Sequence, residues 1–282
     1  MMPPRRGRKI AITAGALALV VLGLATWLSW PHLRFWWLFE PLGPNAQGYA
    51  EYRHRKTGIV FVSLPGGKFW MGAQKDDPKG PNYDPEAGLN EGPVHEVTLS
   101  PFLMAKFEVS QAEWGRIMGK NPSRFKGAAL PVERVWWEDC QEFEAKTGLK
   151  LPTEAQWEYA GRAGRPGRYA GTGRLEEVGW CEGNSGAVTH PVGKKEPNGF
   201  GLHDMLGNVF EWCEDVRDQR FYSRPEAAGL DPVCTSGSDL RVLRGGGFTL
   251  PRSHVNIARR TVVEASDPQS FMGFRVVASP PP

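Results

Sequence analysis

The sequence predicts a loop-rich α+β fold in one domain, and three observations support this class. Two helices begin with capping residues, short apolar runs predict strands around them, and glycine and proline are abundant. The 282 residues include 34 glycines and 24 prolines, which favour a turn-rich fold over a helical bundle. With 40% hydrophobic residues, a chain of this length can bury a proper core.

The N-terminus predicts a transmembrane helix. Residues 1–9 form a basic tail, and the uncharged residues 10–30 follow it directly. At about 1.5 Å per residue, this run spans a hydrocarbon core of roughly 30 Å. Because basic residues precede it and few follow, we expect a single-pass anchor in the inner or plasma membrane, with a periplasmic or extracellular C-terminal domain. A cleaved signal peptide is the alternative, and it is disfavoured because the apolar run exceeds about 7–15 residues.

The formal net charge of +3 comes from the basic tail. Its four positive charges are Arg5, Arg6, Arg8 and Lys9. Without them the chain carries about −1, so the charge balance predicts no nucleic-acid partner. Residues 31–56 are expected to form a juxtamembrane linker, with Trp36 and Trp37 at the membrane interface.

Strands are expected on both sides of the helical part of the domain, which we place at residues 57–279. A Pro65-Gly66-Gly67 turn separates two short apolar runs, and residues 95–110 predict two more strands. The clearest late strands are expected within residues 239–248 and 273–279.

Three helices are predicted, and two of them begin with a capping box. The capping pairs are Ser110 with Glu113 and Thr153 with Gln156, and the expected ends are Gly119 and Gly161. The third helix is expected to run through residues 137–147 and to end at Gly148.

Four cysteines, Cys140, Cys181, Cys213 and Cys234, are expected in an oxidising compartment. They allow three pairings, and the sequence cannot choose among them. A disulfide between Cys213 and Cys234 would brace the loop between them by roughly 3 kcal/mol. None of the four forms a CxxC pair, so a zinc site is not predicted.

Six motifs resemble those of one known family. They read GGKFWMG, EGPVHEVTLSPFLMAKFEVSQAEW, LPTEAQWEYAGRAG, PNGFGLHDMLGNVFEWCED, RVLRGGGF and GFRVV. In this order they resemble the formylglycine-generating enzymes, within the wider sulfatase-modifying-factor domain family. The resemblance covers residues 57–279 and implies a single α+β domain related to the C-type lectin fold.

The resemblance also implies a structural Ca²⁺ ion in the segment DMLGNVFE. By position, Asp204 and Glu211 would give carboxylate oxygens, and Gly207 and Val209 would give backbone carbonyls. Such a set suits a hard cation that prefers six to eight oxygen ligands. A plain turn with solvated acids is the alternative.

Formylglycine-generating enzymes carry two cysteines between the RGG and GFR motifs, where they bind copper and activate oxygen. Thiolates suit this task because Cu(I) is a soft ion. Residues 244–275 of this chain contain no cysteine. The sequence therefore does not predict copper-dependent oxidation.

The same segment contains the candidate ligand-binding residues Arg252, His254, Arg259 and Arg260. Arginine forks suit carboxylates, phosphates and peptide backbone, whereas a solvated surface is the alternative. His254, Arg252 and Arg259 are also weak catalytic candidates. Arg244 and Arg275 are expected to tether loops to the core, and Trp157, Tyr159 and Trp212 are expected within it.

Two functions follow as hypotheses. The first is a membrane-anchored, exported binding or accessory module for a protein or peptide ligand, without oxidase chemistry. The second is a divergent oxidoreductase or maturation enzyme of the same family, like the relative involved in pyoverdine maturation, with His254 or another group in place of the thiols. Clustered histidines and acids would favour the second, and a solitary exposed His254 would disfavour it.

Overall fold

The computed structural model describes residues 33–264 and 271–282. Contacts divide the chain into two units, one of residues 1–40 with 281–282 and one of residues 41–280. In the described part of the first unit, residues 33–38 are helical and the ring of Phe35 stacks on that of Phe39. Within the described ranges, no helix combines the length and apolar character needed to cross a membrane. The predicted span over residues 10–30 lies outside those ranges.

Five α-helices lie in the second unit. They are α1 (Gln111–Met118), α2 (Trp137–Thr147), α3 (Glu154–Arg162), α4 (Leu175–Val178) and α5 (Glu182–Ser185). The predicted capping boxes of α1 and α3 are present at Ser110 and Thr153. Gly119 and Gly148 end α1 and α2 in the left-handed conformation, as glycine does most readily.

Thirteen strands surround these helices in the described residues. They are β1 (Phe39–Pro44), β2 (Ala50–His54), β3 (Val60–Leu64), β4 (Gly67–Met71), β5 (His95–Leu99), β6 (Phe102–Ala105), β7 (Gly179–Trp180), β8 (Leu206–Gly207), β9 (Phe210–Val216), β10 (Leu240–Arg244), β11 (Thr261–Glu264), β12 (Met272–Gly273) and β13 (Val277–Ala278).

The strands form four sheets with the orders β1-β2-β3-β6-β13, β11-β10-β9-β12, β4-β5 and β7-β8. In the four-stranded sheet, β10 runs antiparallel to β9 with a register shift between Arg241 and Leu243. β12 runs parallel to β9, which places Met272 beside Phe210. β10 also pairs with β11, so the loop 245–260 between these two strands starts and ends on neighbouring strands of one sheet.

Two predicted boundaries are corrected. Residues 31–56 are not a linker throughout, because β1 and β2 join the five-stranded sheet. The sequence signal was weak because residues 41–44 are all exposed at the sheet edge. Gly161 does not end α3, which continues to Arg162 and ends at Ala163. Gly161 instead allows a close approach, since a Cβ there would meet the side chain of Ile257.

The predicted Cys213–Cys234 disulfide is also corrected, since all four cysteines are free thiols. The backbone of Val216 pairs with that of Cys234. Cys213 lies three residues earlier on β9, or roughly 10 Å at about 3.3 Å per residue. A disulfide requires Cα atoms within about 7 Å, so the strand register keeps these two sulfurs apart.

The core contains the predicted aromatic residues Trp157, Tyr159 and Trp212. It also contains the predicted tethers Arg244 and Arg275, which are both fully buried. Arg244 pairs with Glu158 of α3, and Glu158 also accepts hydrogen bonds from Gly72 N at 2.7 Å and Arg162 Nε at 2.8 Å. One buried carboxylate thus joins α3 to the ends of β4 and β10.

The Glu158 interactions give the first testable prediction. Burial alone would raise the pKa of Glu158, but the charges of Arg162 and Arg244 outweigh it and lower that pKa. Glu158→Gln leaves both guanidinium groups buried without their carboxylate, so it should reduce the free energy of unfolding by about 3–5 kcal/mol. Urea unfolding at neutral pH measures this change.

The matched control is Glu142→Gln. Glu142 forms an exposed ion pair with Lys146 on α2, and such pairs contribute about 0–1 kcal/mol. Equal losses in the two variants would show that the buried pair does not hold these elements together.

Candidate functional site

The segment 245–260 follows β10, and the buried side chain of Arg244 fixes part of its backbone. Its guanidinium group donates to the carbonyl oxygens of Ala258 at 2.6 Å and Arg259 at 2.7 Å. The side chain of Asn90 donates to the Arg260 carbonyl at 3.0 Å. Three backbone oxygens in a row are thus fixed by the buried Arg244 and the exposed Asn90, and the segment has a defined path.

Arg260 is the most deeply buried of the four candidate ligand residues, with 3% of its surface exposed. Its guanidinium group makes two hydrogen bonds to Glu154, at 2.6 and 2.7 Å, and lies 4.0 Å from the ring centroid of Tyr222. A bidentate pair of this kind satisfies the fork geometry of arginine. Arg260 therefore anchors the segment to α3 and has no face open to a ligand.

The inward positions of the segment are occupied by hydrocarbon. Phe248, Val255, Ile257 and Ala258 are all at most 3% exposed. Ile257 packs against α3 at Gly161, and Gly247 lies against the ring of Phe210. No thiol or other soft ligand points from these positions into the protein.

The other three candidates do not meet at one point. Arg252 and His254 are exposed on a short 3₁₀ turn, and Arg252 pairs with Glu176 on α4. Arg259 is half-buried. Among the described residues, no group of three or more His, Cys, Asp or Glu side chains could hold a metal ion, so His254 is not part of a metal cluster there.

Arg252 instead borders an open cleft of about 580 Å³. Its lining includes Tyr83, Asp84, Arg168 and Tyr169. Arg168 donates to Asp84 at 2.7 Å and approaches Glu86 at 3.1 Å. Sequence reasoning did not identify these residues, because 84 positions separate Asp84 from Arg168 and neither lies in a recognisable motif.

Glu211, a predicted Ca²⁺ ligand, is fully buried and already neutralised. Arg275 donates to both of its carboxylate oxygens at 2.6 Å, and Trp157 Nε1 donates to one of them at 2.6 Å. Arg275 also donates to the carbonyl oxygens of Ala105 and His203. The arginine of the GFR motif therefore occupies the side of Glu211 that a cation would need.

Asp204 is the predicted ligand with an available oxygen. Its Oδ2 accepts from Gly193 N at 2.6 Å, whereas its buried Oδ1 has no hydrogen-bond partner among the described residues. Burial, together with the charge of Glu211, raises the pKa of Asp204 to about 6. Its backbone is left-handed, with φ of 55°.

Glu108 completes this acidic cluster, and sequence reasoning missed it. Its carboxylate accepts from Asn208 Nδ2 at 2.6 Å and from Val209 N at 3.0 Å. Burial, then the charges of Asp204 and Glu211, raise the pKa of Glu108 well above its usual value. The cluster thus places three carboxyl groups beside one arginine, and the pKa values of Glu108 and Asp204 are raised.

The predicted Ca²⁺ set fits a cation poorly in this arrangement. Only Asp204 offers a carboxylate oxygen that nothing else uses, since Arg275 and Trp157 occupy Glu211. Even with the backbone carbonyls of Gly207 and Val209, the set offers far fewer than the six to eight oxygens that a Ca²⁺ ion needs. Ca²⁺ binding therefore stays a prediction from the resemblance, and no chemical step is derived through it.

The four thiols cannot replace the missing copper ligands. Each is buried, with at most 5% of its surface exposed. Burial raises the pKa values of the Cys140, Cys213 and Cys234 thiols. Since the thiolate is the metal-binding form, burial disfavours metal binding by these three sulfurs in the folded protein.

Comparisons with known proteins agree with this fold. Residues 46–280 match the family described as sulfatase-modifying factor enzyme 1-like domain. The chain is 31% identical to the formylglycine-generating enzyme of Streptomyces coelicolor, covering 76% of this chain and 87% of that enzyme. It is 30% identical to the chaperone protein LppX of Paenibacillus barcinonensis, covering 65% and 82%.

Among solved structures, PvdO from Pseudomonas aeruginosa has a TM-score of 0.69 and 26% identity. The match covers 81% of this chain and 97% of PvdO. These similarities confirm the predicted loop-rich α+β domain of the formylglycine-generating-enzyme type.

The acidic cluster generates a prediction about pH. Because the folded pKa of Asp204 is raised to about 6, the native state binds more protons than the unfolded state between about pH 4 and 6. The contribution of Asp204 to stability is therefore fully present below about pH 4 and is lost as the pH rises through about 6. Asp204→Asn should raise the free energy of unfolding at pH 8 by roughly 1–3 kcal/mol and weaken its pH dependence.

Urea unfolding at about pH 5 and pH 8, with EDTA present, measures this effect. Asp76→Asn is the control, because Asp76 is exposed. If Asp204→Asn raises the free energy of unfolding at pH 8 no more than Asp76→Asn does, the destabilisation assigned to the buried Asp204 carboxylate is contradicted.

Proposed function

The chain belongs to the sulfatase-modifying factor enzyme 1-like family, and on that premise we propose that it is a membrane-anchored, exported binding or accessory module without copper-dependent oxidation. One observation carries the proposal. The segment 244–275, where formylglycine-generating enzymes are expected to hold copper, contains no cysteine. A soft ion such as Cu(I) favours soft ligands, of which the thiolate is one.

The packing of this segment supports the same conclusion. Buried hydrocarbon at Phe248, Val255 and Ile257 fills its inner side. The scaffold beneath it, with Arg244 and Arg260 in buried ion pairs, is intact. A rigid surface whose interior lacks redox ligands suits recognition better than oxygen activation.

The names of two relatives bear on the proposed binding or accessory role. One relative is named a chaperone and another a formylglycine-generating enzyme. A domain of this family thus occurs under a name that denotes assistance to other proteins. We assign this chain to the same broad role, with an exported protein or peptide as its ligand.

Membrane anchoring rests on the uncharged residues 10–30. The helical residues 33–38 support it, because Trp37 is 76% exposed and Trp36 is 47% exposed. Tryptophan favours the interface between lipid and water. The domain would then lie on the periplasmic or extracellular side.

The alternative is a divergent oxidoreductase built around His254. The exposed position of His254 on the 252–254 turn, away from any metal-binding group among the described residues, disfavours it. The binding role is therefore the better supported of the two.

A direct assay tests the proposal. The full chain in detergent is incubated with a cysteine-containing sulfatase peptide, copper, a thiol reductant and oxygen, and the peptide is analysed by mass spectrometry. We expect the cysteine to stay unchanged, while the Streptomyces coelicolor enzyme converts it under the same conditions. Formylglycine formed by this chain would overturn the proposal.

A further inference from the structure

A basic loop lies beside the segment just described. We define it as residues 119–134, which connect α1 to the region before α2. It contains four bases and one acid, in a chain whose charge outside the N-terminal tail is close to neutral. The bases are Lys120, Arg124, Lys126 and Arg134, and all four are exposed. The acid, Glu133, is fully buried.

The four bases differ from those exposed bases of the domain that a neighbouring acid neutralises. Elsewhere, Lys68 pairs with Glu96 and Arg224 pairs with Asp218. Among the described residues, none of the basic-loop side chains forms an ion pair; Lys126 Nζ donates to the Asn121 carbonyl at 2.9 Å. The loop therefore presents positive charge that no acid in the described part of the chain neutralises through an ion pair.

Gln111, which is 4% exposed, holds the basic loop in place through buried hydrogen bonds. Gln111 Nε2 donates to the carbonyls of Phe125 at 2.8 Å and Pro131 at 3.1 Å. Its Oε1 accepts from Asn121 Nδ2 at 2.8 Å and Gly127 N at 3.1 Å. One buried amide thus satisfies four groups of the loop, and such preorganisation reduces the entropy lost on binding.

Glu133 is the second internal support of the basic loop. Its Oε1 accepts from Phe125 N at 2.9 Å, and its own N–H donates to Ser123 Oγ at 3.0 Å. Burial raises the pKa of Glu133, while the nearby charges of Arg134 and Lys126 act in the opposite direction. The charges of these two bases therefore reach the Glu133 carboxyl group, which is sealed from solvent.

An aromatic shelf adjoins the basic loop. The ring of Phe125 lies 5.6 Å from that of Phe248, which lies 6.4 Å from Phe271. Phe271 in turn lies 5.9 Å from Phe210. Phe125 and Phe271 are half-buried, so the charges of the basic loop border an apolar surface.

This combination favours a polypeptide over a lipid bilayer. Surfaces that insert into lipid expose large apolar side chains beyond their charges. None of the large hydrophobic residues exposed in the described part of the chain lies in the basic loop. Guanidinium groups instead match carboxylates through paired hydrogen bonds, and aromatic shelves accept the apolar residues between them.

We propose that residues 119–134, with the shelf of Phe125 and Phe271, bind an acidic, extended segment of a protein partner. The inference rests on the proposed binding function and names the chemical class of its ligand. Carboxylates of the partner contact Arg124, Lys126 and Arg134, and its apolar side chains lie on the two phenylalanine rings.

The test uses the full chain in neutral-lipid nanodiscs and a fluorescein-labelled dodecapeptide of Glu-Ala-Phe repeats. Fluorescence anisotropy should show binding that weakens as salt is raised, because exposed charges are screened. The Gln-Ala-Phe counterpart should bind at least roughly tenfold more weakly. The triple variant Arg124→Gln, Lys126→Gln, Arg134→Gln should lose a similar factor, since each exposed charge contributes up to about 1 kcal/mol.

The matched control is the triple variant Lys68→Gln, Lys146→Gln, Arg224→Gln, which removes three exposed bases that are already paired. Equal loss in the control, or equal binding of the glutamine peptide, would overturn the inference. Binding to phosphatidylglycerol vesicles without binding to the acidic peptide would overturn it in favour of a membrane surface. Formylglycine formation in the separate oxidation assay would overturn the proposed function, whatever the peptide result.

Discussion

Buried pairing of arginine with carboxylate is the interaction on which the rest of this structure depends. Arg275 joins Glu211 of β9 to the end of the chain, Arg244 joins β10 to α3, and Arg260 joins the loop above them to α3. A buried charge without its partner is very costly, so each pair fixes the relative position of two elements far apart in sequence. A fold with short strands and long loops gains its defined shape from such fixed points more than from regular sheets.

The same pairs explain how the scaffold persists without oxidation chemistry. They lie beneath the segment 245–260 and require only its backbone carbonyls and Arg260. Apart from Asn256 and Arg260, the buried side chains of the segment are hydrocarbon. The atoms that support the segment are not the thiols that would bind copper. The segment can therefore lack these thiols and keep the same backbone path. The face that results is rigid, borders an aromatic shelf, and suits recognition of another chain.

Local signals in the sequence were the most reliable. The capping boxes at Ser110 and Thr153 and the glycine after α2 depend on neighbouring residues, and the structure confirms them. β1 was missed because an exposed edge strand with two prolines lacks an alternating apolar pattern.

The contacts of Glu108 with Asn208 and of Asp84 with Arg168 cross 100 and 84 positions. Only the folded topology brings such groups together, so single-sequence reasoning could not identify them. The candidates Arg252, His254, Arg259 and Arg260 lie in one segment, but its turns place their side chains in different environments.

Competition for Cu(I) tests the central claim most directly. The full chain, in detergent and reduced, is titrated against the Cu(I) complex of bicinchoninate, first folded and then unfolded in urea. The account predicts no stoichiometric transfer of copper to the folded protein, because its four thiols are buried and the segment 244–275 has none. Transfer should appear only on unfolding, when thiolates become available. One equivalent of Cu(I) taken up by the folded protein would contradict the account.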